Sequence, residues 1–389
     1  MRKGNWKTVF LDQIADLLDS KRVPLNSRER EERRGHIPYY GASGIVDHID
    51  SYLFEGEHVL ISEDGENLRS RTTPIAFKAD GKFWVNNHAH ILRERNQNIN
   101  DYIVYYFQNL DVSPYITGAV QPKLSKANLL EIPITIPDSP DYLKNLVGIL
   151  RSLDDKIELN RQMNQCLEEM AQCLFRELCL PNGQANLQPG DELPEGWEWK
   201  TIGEMYDTTS GGTPKRSNPE FYENGSIPWV KSKELIHDFV TLTEESITTE
   251  ALRQSSAKML PKKSLLVAMY GATVGQMSML GIEATCNQAI CAIKPNDIYD
   301  TIFIYLYLKD NIEELVGRAV GSAQQNISQL LIKQFNVIKP PQERMNQFQF
   351  VTTGLYERIL ENQIENTRLT SLRNTILPQL MSGQIEVTA

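Results

Sequence analysis

The longest regular pattern of apolar positions lies between residues 139 and 180. Leu143, Leu146, Leu150, Leu153, Ile157, Asn160, Asn164, Leu167, Ala171, Leu174 and Leu178 step by three and four, which predicts one long helix with a single apolar seam. The pattern recurs 202 positions later as Met345, Phe348, Thr352, Leu355, Ile359, Asn362, Asn366, Leu369, Arg373, Ile376 and Leu380. Both asparagines recur with it. Asparagine in an apolar seam costs stability but fixes partner and register, so the repeated pair predicts that the two helices recognise each other. Paired antiparallel at a constant residue sum of 526, Asn160 meets Asn366 and Asn164 meets Asn362. The competing reading is two unrelated amphipathic helices with a common period.

Before the first helix, apolar and polar residues alternate in short runs broken by turn residues. Residues 37–41, 58–62, 74–78 and 83–92 read as strands, separated by the Gly41 to Gly44, Asp64-Gly65 and Asp80-Gly81 turns. A helix near 101–110 and a strand at 132–137 follow. Ser139 suits the cap of the long helix and Pro140 its first turn. Pro181 and Gly183 end that helix, and a polar linker runs to about Glu198.

The pattern then begins again. Trp199 to Ile202 echoes Trp6 to Val9, and Ile227-Pro228-Trp229 echoes Ile37-Pro38-Tyr39. Residues 264–271 answer 58–65, Asn287-Gln288-Ala289 answers Asn87-His88-Ala89, and residues 321–340 answer 118–137. The offset drifts between 190 and 206, as loop insertions on a shared framework produce. The predicted order is a domain at 1–138, a helix at 139–180, a linker and second domain at 181–339, and a helix at 340–389, which Pro378 should kink or fray.

Charge changes this picture only locally. The 389 residues carry a net charge of −10, which argues against coating nucleic acid through bulk positive charge. Residues 1–138 hold 17 basic and 19 acidic groups, and residues 181–339 hold 14 and 19, so local clusters must supply any phosphate contacts. The densest runs from Lys21 to Arg34, for which a solvated charged loop or helix face is the plainer reading. No apolar run approaches a bilayer span and the start lacks a signal-peptide core, so the expected location is the cytoplasm, with no membrane partner. Cys166, Cys173, Cys179, Cys286 and Cys291 have no zinc-site spacing and read as free thiols.

Catalytic machinery is hard to find. Residues 271–275 are glycine-rich but lack the lysine of a phosphate loop, and no GxGxxG follows a strand. Residues 138–142 faintly resemble the motif of amino-methyltransferases, but lack its second proline and read better as a helix cap. His88 and His90 would share one face of a strand, which more often marks polar structure than a metal site. The expectation is a chain with no catalytic residue, no metal and no cofactor of its own.

These motifs in order, Trp199 to Ile202, Gly212-Thr-Pro214, Ile227-Pro228-Trp229, Met269 to Gly275, Asn287-Gln288-Ala289 and Gly321 to Ser328 before a long helix, resemble the specificity subunits of type I restriction-modification enzymes. The first half is looser, with Asp64-Gly65-Glu66-Asn67 in place of the glycine-rich turn and no Gly-Thr-Pro segment. The resemblance implies an α+β fold: two mainly β target-recognition domains joined by two long antiparallel helices, a coiled-coil spacer with a pseudo-twofold internal repeat. It also implies that each domain reads one half of a split site in double-stranded DNA. Modification subunits carrying S-adenosylmethionine would dock on the helices, and a restriction and translocase subunit would complete the assembly. A 40-residue helix is about 60 Å long, enough to act as a ruler between half-sites.

Contact residues do not transfer between such proteins, so chemistry alone selects them: Arg, Lys, Asn and Gln for base edges, with cations and hydroxyls for phosphates. In the first domain the candidates are Lys21, Arg22, Arg28, Arg30, Arg33, Arg34, Asn67, Arg69, Arg71, Gln121 and Lys123. In the second they are Thr213, Lys215, Arg216, Lys231, Lys233, Gln324, Gln325 and Asn326. Asn160, Asn164, Asn362 and Asn366 are the candidates for helix register. Rival readings are a stand-alone sequence-specific regulator or restriction decoy, a protein-binding adaptor, and a methyltransferase.

Overall fold

A computed structural model describes residues 5–95, 98–183, 187–318 and 326–387. The chain divides into two compact units. One holds the residues up to Lys156 and those from Leu369 on, and the other runs from Ile157 to Arg368. The long helices, Pro140–Cys179 and Gln342–Met381, therefore each contribute to both units.

In the first unit two small sheets share the chain between Ala15 and Glu94. Strands Ala15–Leu17, Ala89–Glu94, His58–Ser62 and Ala76–Ala79 lie in that spatial order, and strands Gly44–Ile49, Arg34–Gly41, Lys82–Val85 and Phe54–Glu55 form the second sheet. The run read as one strand at 83–92 is two, separated by a turn that carries Asn86, Asn87 and His88. Trp6–Val9 pairs antiparallel with Ile134–Pro137, closing the domain against the start of the central helix. Leu143, Leu146, Val147 and Leu150 of that helix join Leu377, Leu380 and Val387 in the same apolar core. The apolar stripe of the central helix is thus consumed by the domain as well as by its partner helix.

The second unit repeats the plan. Strands Thr208–Ser210, Ile290–Ile293, Leu265–Ala268, Met277–Leu280 and Phe239–Val240 form the larger sheet, and Glu245–Ile247, Ile227–Val230 and Thr285–Cys286 the smaller. Glu198–Thr201 pairs with Asn336–Lys339, as Trp6–Val9 does with Ile134–Pro137. Ala171 and Phe175 of the central helix pack with Met345, Phe348 and Ile359 of the last helix under the helix Thr301–Asp310. One detail of the repeat shifts. Asn86 accepts from the His88 amide as Asn287 accepts from that of Ala289, so Asn287-Gln288-Ala289 matches Asn86-Asn87-His88, one position earlier than the sequence comparison placed it.

The two helices run antiparallel. In the second unit Asn160 donates to Asn366 at 2.9 Å and to Glu365 at 2.7 Å, and Asn362 donates to Asn164 at 2.8 Å. This is the register with a residue sum of 526. In the first unit Arg373, an interruption of the C-terminal seam, bonds Asp154 at 2.6 Å, and Asp154 also accepts from Tyr105 at 2.7 Å. Ser139 caps the central helix through the Tyr142 amide at 3.3 Å. The last helix continues through Pro378 to Met381, and Gly383, at φ +69°, turns the chain out of it.

Candidate nucleic-acid interface

In the first domain four loops meet at one end of the larger sheet. The Ser62 hydroxyl donates to the carbonyl of Ala42, the Glu63 amide to that of His88, and the Leu124 amide to that of Glu63. His88 meets the Asp64 carboxylate at 2.9 Å, and the Asp64 backbone forms an isolated antiparallel β-bridge with that of Lys123. Beneath the loops lies a charged network. His90 is fully buried, with Nδ1 2.6 Å from Asp19 and Nε2 2.8 Å from the Leu124 carbonyl. Both nitrogens face acceptors, an arrangement that suits a ring carrying two N–H donors. Arg22 bonds Glu63 and the Ala89 carbonyl, each at 2.7 Å, and Lys123 meets Glu63 at 3.2 Å.

Burial works against ionising Asp19, but His90, the Ile91 amide and Arg22 outweigh it and hold the carboxyl below its ordinary range. Glu63 is likewise lowered, burial being outweighed by Arg22, His90 and Lys123. Asp19, Glu63 and His90 are close enough together to ligate a metal ion. Their charges, however, are already met by Arg22 and Lys123, so the donor set suits a buried ion-pair network. His88 lies outside this cluster, contrary to the expectation that it shares a strand face with His90.

The second domain brings the corresponding loops together with neutral groups. Thr213 hydrogen-bonds Gln288, the Gly212 amide donates to Cys286, and the Ile327 amide to Met269. A Cβ at Gly212 would stand 2.4 Å from the Ala257 nitrogen, so the Gly-Thr-Pro segment packs where a larger residue cannot. Asn326 is exposed beside this cluster. Gln324 and Gln325 lie outside the described residues.

The smaller sheets carry a second set of cations, built alike in both domains. Arg30 bonds Asp47 at 2.8 Å and stands over the Tyr39 ring, while Asp47 faces Tyr39 across the strand pair. Arg216 bonds Glu245 at 2.5 Å and stands over the Trp229 ring, while Glu245 faces Trp229. Stacking on an aromatic face and pairing with a carboxylate hold each guanidinium in one orientation. Lys231 binds Glu244 and Glu245, and Lys233 also meets Glu244. Hydrogen bonds from Arg216 and Lys231 pull Glu245 down to about 2. Arg33 bonds Asp50 and covers Trp84. Tyr39 and Trp229 are themselves buried core residues.

The sequence candidates thus separate by what they already hold. Two are committed inward. Arg22 has a side chain only 14% exposed and is filled by Glu63 and Ala89. Arg71 bonds the carbonyls of Phe107 and Leu110 at 2.7 and 2.9 Å, capping the end of the helix Ile99–Asn109. Asn67 closes its own turn through Thr72 and Thr73, and Arg69 grips the Gly118 and Ala119 carbonyls. Arg28 is exposed and pairs with Glu32 within the short helix Ser27–Glu32, a solvated helix within the charged stretch. Lys21, Arg34, Gln121 and Lys215 are exposed. Val120, Glu244 and Glu245 escaped the sequence reading, because a polar-residue filter discards an exposed valine and the acids that organise basic side chains.

The family profile of the type I restriction modification DNA specificity domain matches the chain twice, over residues 3–169 and 194–369. The chain belongs to that family. The HindI specificity subunit of Haemophilus influenzae is 29% identical over 332 residues, covering 68% of this chain and 71% of that one. The MjaIX specificity subunit of Methanocaldococcus jannaschii is 24% identical over 390 residues, covering 93% and 90%. Among solved structures, the S subunit of a type I restriction-modification system from M. genitalium shares the fold, with a TM-score of 0.65, 16% identity and coverage of 97% and 96%. The two specificity domains of this chain therefore sit on the tandem repeat, and each holds a loop cluster and a matched arginine that is both stacked on an aromatic ring and paired with a carboxylate.

Proposed function

We propose that this chain is the DNA-recognition subunit of a type I restriction-modification enzyme, acting in the cytoplasm, with each domain reading one half of a bipartite site. The observation that carries this reading is the repetition of the specificity domain, each copy presenting a tethered loop cluster beside oriented cations. Major-groove readout needs Arg, Lys, Asn and Gln held at fixed positions, and phosphate contacts need exposed cations. The helix pair, locked by its asparagines, would set the spacing of the half-sites and carry the modification subunits. Those subunits would bring S-adenosylmethionine and the methyl-transfer chemistry, and a restriction and translocase subunit would add cleavage. This chain would contribute recognition without catalysis.

Mapping methylated adenines in a host that carries this chain and its modification subunits tests the reading. The expected result is one split motif, of which only one half changes when one domain is exchanged. A motif that changes on both sides, or no motif, would count against it. Charge reversal at the exposed Arg34 and Lys215 should weaken binding across all sequences and flatten its salt dependence, the signature of phosphate contacts.

A further inference from the structure

The loop from Thr117 to Lys123 is built to present two side chains. Thr117 and Lys123 exchange backbone hydrogen bonds of 2.8 Å at its base. Gly118 takes φ +85°, and a Cβ there would lie 2.2 Å from the Gln121 carbonyl oxygen, so the turn closes tightly only on glycine. Arg69 holds the carbonyls of Gly118 and Ala119 at 2.9 and 3.3 Å from outside the loop, and the Gly65 amide holds that of Pro122 at 3.0 Å. At the tip, Val120 is 98% exposed and Gln121 is exposed beside it. Such tethering removes most of the ordering entropy that a free loop would lose on binding.

A fully exposed valine on a rigid tip between Arg69 and Lys123 has no role in the core. Its neighbour is a glutamine, whose amide can pair with adenine N6 and N7 in the major groove, where the thymine methyl of the same pair offers an apolar contact. Arg69 and Lys123 supply positive charge for the flanking phosphates. We infer that Val120 and Gln121 together read one adenine–thymine pair in the half-site of the first domain, Gln121 taking the adenine edge and Val120 the thymine methyl. Arg69 is a positioning residue that fixes the tip. This assignment rests on the DNA-recognition reading above.

The test uses the full-length chain with its modification subunits and selection from a randomised duplex library. Wild type should select a split motif with a fixed adenine–thymine pair in one half. Gln121→Ala should relax that position alone, by roughly 5- to 150-fold, the equivalent of about 1–3 kcal/mol. Replacing the thymine by deoxyuridine, which lacks the methyl, should weaken wild type but leave Val120→Ala unaffected, because the contact is already gone. Arg69→Ala should blur the preference without changing the preferred pair. Unchanged preference in both tip variants overturns the inference while the selected motif upholds DNA recognition. Loss of modification-subunit binding in Val120→Ala also overturns it, assigning the tip to a protein contact. Failure of wild type to select any sequence would overturn the DNA-recognition reading, and this one with it.

Discussion

The two domains share a backbone and differ in what they bury beneath their loops. Strand register makes the comparison residue by residue. Ile61 pairs with His90 as Val267 pairs with Cys291, and Leu17 pairs with Leu92 as Thr208 pairs with Ile293. The Glu63 amide donates to His88 as that of Met269 donates to Ala289. On this register Asp19, His90 and Glu63 of the first domain stand where Ser210, Cys291 and Met269 stand in the second. One head rests on a charged network and the other on neutral groups. A buried ion-pair network is weak as a source of net stability, since desolvation offsets its Coulombic gain. Here Glu63 also orients Lys123 and Arg22 beneath the loops. The difference teaches that the fold is set by apolar strands and register, leaving the residues under the loops free to vary with what each head must hold.

The largest expected effect separates the domains directly. Asp19→Ala leaves the buried His90 without its 2.6 Å carboxylate partner, while Arg22 keeps Glu63, and breaking a buried pair in this way costs about 3–5 kcal/mol. Ser210→Ala removes one hydrogen bond, from Ser210 to Gln329, and should cost only about 1 kcal/mol. Denaturant unfolding followed by probes in each domain measures both. Equal losses would erase the distinction.

Acid should act on the same asymmetry. The folded values of Asp19 and Glu63 lie below their ordinary values of 3.8 and 4.5. A lowered carboxyl contributes stability that is fully present above its unfolded value and is lost as pH falls through the folded one. The first domain should therefore weaken below about pH 4.5 through these groups. Their neutral counterparts have no acid titration, and burial pushes Cys291 up to about 12. Asp19→Asn should flatten the acid limb of the first domain and leave that of the second in place.

A third contrast lies in the helix seam. Moving 202 positions carries Asp154 to Tyr356 and Ala171 to Arg373, so a polar pair in one unit corresponds to an apolar pair in the other. Arg373→Leu alone strands Asp154 and should cost roughly 1–3 kcal/mol in thermal unfolding. Adding Asp154→Leu should recover most of it, since an apolar pair is what the other half of the repeat uses. No recovery would mean that Tyr105, which also bonds Asp154, depends on the carboxylate.

Much of this architecture was legible because it follows from period and punctuation. The seam, its two asparagines and their pairing came from spacing alone, and the strand His58–Ser62 is bounded as its apolar run suggests. The site was less legible. Side-chain type separates residues that can touch DNA from those that cannot, but it does not say which donors are already used. Arg71 reads like Arg34 in sequence, yet one caps a helix and the other is exposed. The one-residue slip at Asn287 has a similar cause, since matching letters outvoted the turn geometry that pairs it with Asn86.

The smallest expected effect concerns what the domains share. Arg30 with Asp47 and Arg216 with Glu245 are matched pairs at the surface, where ion pairs add little to stability. Asp47→Asn and Glu245→Gln should therefore leave the unfolding midpoints close to wild type. Their effect should appear on DNA instead. Each carboxylate competes with phosphate for its guanidinium, and Glu245 also engages Lys231. Removing it frees Arg216 and takes away one of the two carboxylates on Lys231 in the second domain, whereas removing Asp47 frees Arg30 alone in the first. Non-specific affinity should rise in both variants and more in Glu245→Gln, with the salt slope steeper by about one for each further phosphate neutralised. Equal slopes would mean that Lys231 stays on Glu244, which holds it at 2.7 Å, and that the two domains present the same charge to DNA.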